Sequence, residues 1–177
     1  MNQRRFLLGS AAVGIVALAA GIYAGLSNRP RDTSLVGQSA ATLLQLTLPD
    51  VDGKQETLSQ WTAKVLIVNF WATWCAPCRE EMPEFVGLQK EYGDKGLQFV
   101  GIAVDEGPKV RQFSEELKLN YPALIGGYGA MELSRTLGNS VMALPFTVIV
   151  GRDGKIAHTQ LGPLRSAQLR DIIVKLI

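Results

Sequence analysis

Apolar residues gather along this chain into three short, almost unbroken runs: Val65 to Trp71, Leu97 to Val104 and Phe146 to Val150. Such β-branched and aromatic stretches predict strands buried on both faces of a sheet. Between them the spacing turns helical. Arg79 to Tyr92 reads as a helix interrupted by Pro83, whose missing N–H predicts a kink, and Pro108 to Leu117 sets Val110, Phe113 and Leu117 on one face. Pro122 to Ile125 suits a short strand and Met131 to Leu137 a short helix. Beyond the third run, Asp153-Gly154 predicts a hairpin turn into a returning strand, Lys155 to Leu161. Ser166 to Ile177 then closes the chain as a helix with Leu169, Ile172, Ile173 and Leu176 facing inward. Upstream, Gln45 to Leu48 and Gln55 to Leu58 flank a Pro49–Gly53 turn as a peripheral hairpin. The order after that hairpin, βαβαβαββα, predicts an α/β domain: a mostly parallel central sheet, helices on both faces and an antiparallel edge.

The N-terminus has a different texture. Arg4 and Arg5 precede Phe6 to Leu26, 21 residues without a charged side chain. That length matches the roughly 20 residues a membrane-spanning helix needs, and the basic flank favours an N-terminus held in the cytoplasm with the remainder exported. Ala17-Leu18-Ala19 also offers a small-residue cleavage site, which would make the segment a signal peptide and the product soluble and periplasmic. Arg4-Arg5-Phe6-Leu7-Leu8 is similar to a twin-arginine signal as well as to an ordinary basic flank. The uncleaved anchor in a bacterial cytoplasmic membrane is the preferred reading. The chain thus divides into an anchor or signal (1–27), a polar tether (28–39) and one domain (40–177). Eighteen Lys and Arg oppose sixteen Asp and Glu; without Arg4, Arg5, Arg29 and Arg31 the rest carries about −2. No basic footprint for nucleic acid is present.

The chemistry centres on Trp74-Cys75-Ala76-Pro77-Cys78, which holds both cysteines of the chain. They stand where the first buried strand turns into a helix, and a cysteine there faces free N–H groups and the positive end of the helix dipole, which favour a thiolate. A structural disulfide across three positions would close a very small loop and restrain the unfolded chain little. Zinc would need about four ligands, and His158 is the one histidine, far from the pair. Two inert buried thiols are the third alternative. A redox pair is the reading the placement favours.

Asn69-Phe70-Trp71-Ala72-Thr73-Trp74-Cys75-Ala76-Pro77-Cys78-Arg79 with Glu81-Met82-Pro83 closely resembles the exported, membrane-anchored thioredoxin-like proteins of the TlpA/ResA type, a redoxin-related group. Ala143-Leu144-Pro145-Phe146-Thr147 is similar to the cis-proline loop of that group, and Val104 to Ile125 to its helix-strand insertion. The resemblance implies a thioredoxin-like three-layer αβα sandwich with a mixed sheet and an N-terminal hairpin. It implies a cis Leu144-Pro145 bond beside the disulfide, with the Leu144 backbone offered to an extended substrate segment. Thioredoxin carries a buried aspartate where this chain has Asn69, which cannot move protons; Glu81 is the alternative acid, with a weaker claim for Glu106. Trp71 is expected in the core and Trp74 at the surface, shaping an apolar landing area.

The expected reaction is dithiol–disulfide exchange with protein substrates, Cys75 attacking as thiolate and Cys78 resolving the mixed disulfide. Ala-Pro between the cysteines and the resemblance both favour reduction of clients. The domain carries no flavin or nucleotide motif and no cofactor or metal is expected, so a transmembrane electron donor is implied. The alternatives are an oxidant or isomerase of the same chemistry, and a copper-binding or delivery module using two soft thiolates.

Overall fold

The structure, a computed structural model, describes Gln38 and residues 40–177. The anchor-or-signal segment and most of the tether lie outside the described residues. In chain order the elements are α1 (Ala41–Leu44), β1 (Thr47–Pro49), β2 (Gln55–Thr57), β3 (Val65–Trp71), α2 (Ala76–Tyr92), β4 (Leu97–Ala103) and α3 (Gly107–Leu117). They continue with β5 (Ala123–Ile125), α4 (Gly129–Thr136), β6 (Phe146–Val150), β7 (Ile156–Leu161) and α5 (Ser166–Leu176).

The three unbroken apolar runs became the three middle strands of a five-stranded sheet ordered β5-β4-β3-β6-β7. Every residue of β3, β4 and β6 is buried, as helices on both faces require. Because side chains alternate across a strand, each run feeds two cores. Leu66, Val68 and Phe70 join Val100, Ile102 and Val148 against Leu43 of α1 and Ala130 of α4. Val65 and Ile67 join Phe99 and Ile149 against Phe85 and Leu88 of α2 and Leu169 and Ile173 of α5. The result is the expected αβα sandwich.

Three details differ from the pattern-based reading. β3, β4 and β5 are parallel, but β6 is antiparallel to β3 as well as to β7, so antiparallel pairing reaches the sheet centre instead of staying at an edge. The connection from β5 contains only the eight-residue α4, about 12 Å long at ~1.5 Å per residue, and the chain re-enters the sheet at the end it left. The N-terminal hairpin is also less peripheral than expected. Asp50 bridges Leu124 of β5, and Leu58, just after β2, is fully buried. Lastly, α1 has no counterpart in the apolar pattern, being one turn with a single buried side chain, Leu43. Hydrogen bonding reaches back to Gln38, whose carbonyl accepts Ile156 N–H at 2.9 Å.

Candidate active site

β3 ends at Trp71 and α2 begins at Ala76, three residues earlier than the spacing suggested, because the cysteine motif itself forms the first turn. Cys75 is the N-cap residue and its Sγ accepts the Cys78 N–H at 3.3 Å. Pro77 sits in the first turn, where its absent N–H costs nothing. The helix runs on through Pro83, which leaves the Arg79 carbonyl without its usual donor four residues on. Cys75 and Cys78 are joined in a disulfide. Cys75 is 5% exposed and Cys78 not at all, so an incoming group meets Cys75 first.

Trp71, Met82, Val110 and both cysteines form one apolar cluster, and half-buried Leu144 packs against it. The Leu144-Pro145 bond is cis, and Pro145 is buried. Ahead of it, buried Asn139 organises the loop: its amide donates to the Ala143 carbonyl at 2.8 Å and to Ser134 Oγ at 3.0 Å, and its Oδ1 accepts the Ala143 N–H at 3.1 Å. Trp74 stands 68% exposed beside the disulfide while Trp71 is fully buried.

Beneath the cysteines lies a buried polar group. Asn69 faces α2, and its Nδ2 donates to Glu81 Oε1 at 3.0 Å and to Oγ1 of Thr147, its cross-strand partner, at 3.1 Å. The other Glu81 oxygen accepts the Leu164 N–H at 2.9 Å. Burial pushes the Glu81 carboxyl up to about 7 against the opposing pull of these two hydrogen bonds. Desolvation therefore outweighs both bonds, and the group titrates near neutrality. Glu81 also lines a cleft of about 280 Å³ between the start of α2 and Pro163–Arg165, which gives solvent a way in. Trp71 Nε1, Tyr121 Oη and Asn69 Oδ1 are buried with no hydrogen-bond partner among the described residues. The Trp71 and Tyr121 rings both lie over Gly101, where a Cβ would come 2.7 Å from Trp71 Nε1.

Sequence reasoning named Cys75, Cys78, Glu81, Trp74, Leu144 and Pro145. The structure brings the cysteines and Leu144 into one cluster and seats Glu81 on the same helix. Glu106 does not share the burial of Glu81: its side chain is 75% exposed and pairs with Lys109 at 3.2 Å. The neighbour Asp105 is the more enclosed acid there, a half-buried residue whose side chain is 5% exposed. Its position at the end of a buried strand, just before a Gly-Pro helix start, was the available signal. Thr147 had a weaker one, as the single polar residue of β6. Leu164 had none, since it contributes a backbone N–H.

A central mixed sheet, a disulfide at the start of the following helix and a cis-proline beside it define a thioredoxin-fold thiol–disulfide oxidoreductase. The model of the Redoxin family matches residues 35–173, and the chain belongs to that family, in its ResA/TlpA-type branch. It is 28% identical to the thiol-disulfide oxidoreductase ResA of Bacillus cereus across 99% of both chains. It is 34% identical to the thioredoxin-like protein YneN of Bacillus subtilis over 70% of this chain and 71% of that one. Among solved structures, a thiol:disulfide interchange protein of Chlorobium tepidum superposes with a TM-score of 0.68 at 28% identity, covering 74% of this chain and 92% of the other. A secreted thiol-disulfide isomerase of Corynebacterium glutamicum gives 0.68 at 24% identity, covering 76% and 84%, and shares the fold.

Proposed function

We propose that this oxidoreductase is exported and works as a reductant of protein disulfides. The observation that carries the reading is the asymmetric pair at the head of α2: a reachable Cys75, a fully buried Cys78, and on the next turn a buried carboxyl that titrates near 7. In the reduced enzyme the Cys75 thiolate attacks one sulfur of a client disulfide, forming a mixed disulfide and expelling the other client sulfur as thiolate. Cys78 then gives up its proton, with Glu81 as the acceptor, and attacks the Cys75 sulfur. The Cys75–Cys78 bond forms, the mixed disulfide breaks and the client leaves with both sulfurs reduced. Glu81 passes its proton to solvent through the adjoining cleft.

Protein clients are supported by the surface around the pair. Of six large apolar side chains exposed among the described residues, Trp74, Tyr128, Val141, Met142 and Leu161 stand at the disulfide end of the sheet, and Val174 is elsewhere. Trp74 and the Leu144 backbone are the client contacts in this reading. Export is supported by the basic flank and apolar run of Arg4 to Leu26. Among the described residues no helix is long and apolar enough to cross a membrane, so anchoring, like the transmembrane donor that would re-reduce the pair, rests on that N-terminal segment.

The direction is tested by equilibrating the Cys75–Cys78 pair against glutathione. A potential near that of thioredoxin, about −270 mV, is expected, and one near the strong oxidant DsbA, about −120 mV, overturns the reductant reading. In cells, Cys78→Ser should accumulate mixed disulfides through Cys75. Trapping by Cys75→Ser instead would reverse the two roles.

A further inference from the structure

The segment leading into Cys75 is held from the side by one carboxylate. Asp105 follows β4, and its Oδ2 accepts both the Thr73 N–H, at 3.3 Å, and the Thr73 hydroxyl. Its Oδ1 accepts the Glu106 N–H at 2.8 Å and lies 3.8 Å from Lys109 Nζ. A nearly buried carboxylate needs such partners to offset its lost hydration, and hydroxyl-to-carboxylate bonds are among the stronger ones. Two further bonds fix the same segment: Val104 N–H donates to the Trp71 carbonyl at 2.8 Å, and Cys75 N–H donates to the Ala72 carbonyl at 3.1 Å. Residues 71–75 are therefore fastened to the end of β4 before they start α2. Glu106 and Lys109 lie at the N-terminal end of α3, so one carboxylate ties the inserted helix to the turn ahead of the disulfide.

We propose that Asp105, acting through Thr73, is a positioning residue for Cys75: it fixes the turn that aims the Cys75 sulfur at the free N–H groups of α2 and thereby sets how readily that sulfur becomes a thiolate. The proposal rests on the exchange reaction above. Asp105 exerts two opposing influences. Holding the turn favours the thiolate, while its negative charge, partly offset by Lys109, disfavours it. Arg79, Glu80 and Glu81 on α2, Glu116 on α3 and Glu106 at its N-cap supply the other charges near the turn, Glu81 titrating near 7, and all are left in place by a change at Thr73.

Thr73→Val separates the two influences, because it removes the hydroxyl at nearly constant shape and leaves the Asp105 charge in place. In the reduced full-length chain, the pH dependence of Cys75 alkylation and the rate of attack on a small aromatic disulfide are measured for the parent, Thr73→Val and Thr73→Ser. Thr73→Val is expected to lower both the thiolate fraction and the attack rate at neutral pH, by about tenfold. Thr73→Ser, which keeps the hydroxyl, should restore both. Values for Thr73→Val within twofold of the parent overturn the proposal, whatever happens to its melting temperature. Thr73→Ala takes its place where the valine variant does not fold. Alkylation reports on Cys75 whether or not the chain exchanges with a disulfide, so a failure here is distinguishable from a failure of the exchange reading.

Discussion

Glu80, Glu81 and Glu84 lie on one helix, carry one charge type and look alike in sequence, yet only Glu81 is buried. What separates them is tertiary: Asn69 on β3 and the Leu164 N–H converge on the Glu81 carboxylate and on neither of the others. Glu84 instead accepts the Ser166 N–H at 2.8 Å at the surface. With a folded value of about 7 against 4.5, Glu81 favours the folded state most below pH 4.5. That contribution is lost as pH rises through 7, a change on the order of 3 kcal/mol. Glu81→Gln removes the titration. Denaturant unfolding from pH 5 to 8 should show the stability of Glu81→Gln relative to the parent climbing with pH; a constant difference would contradict the burial argument. Resolution of a mixed disulfide by Cys78 should likewise lose its rise through neutral pH in this variant. The candidacy of Glu81 was legible through the resemblance to the ResA-type proteins, which implies an acid one helical turn after the second cysteine, and through the asparagine at position 69. Its burial was not, since no local pattern specifies which turn of a helix meets a loop 83 residues away.

Among the elements, α2 carries both the chemistry and much of the packing. Phe85 stacks on Phe99 of β4 with ring centroids 5.1 Å apart, and both rings are fully buried. Phe85→Ala should destabilise the domain by about 3–5 kcal/mol through lost burial and the cavity left behind. Chemical denaturation measures this, and a loss below about 1 kcal/mol would mean the helix repacks. β3, β4 and β6 could be read from sequence because strands buried on both faces leave continuous apolar runs. The first residue of α2 could not, and periodicity places it three positions late, because Cys-Ala-Pro-Cys carries no helical periodicity and its turn is secured by a sulfur acting as N-cap. Nor could the direction of β6 be read. It depends on how far the chain travels between Ile125 and Phe146, and a three-dimensional path of that kind leaves no periodic trace.

Across the whole molecule, the ends of β3, β4, β5 and β7 and the start of β6 meet at one pole, which gathers the disulfide and five exposed apolar side chains. Trp74 is the large one next to Cys75. Trp74→Ala should reduce turnover of a disulfide-bonded protein several-fold more than that of a small disulfide, with stability within about 0.5 kcal/mol of the parent, as for other surface substitutions. Equal losses on both substrates would mean that Trp74 shapes the sulfur chemistry and not the docking. The Gly151–Lys155 turn lies at the other pole, beyond the far end of β6, and the chain enters the domain beside it, with Ala40 N–H donating to the Gly154 carbonyl at 3.0 Å. The seven residues of β3 put about 20 Å between the two poles at ~3.3 Å per residue. The fold thus has a built-in handle: a probe, bead or fused domain fixed at Asp153 faces away from the sulfurs and leaves the whole working face open to a client.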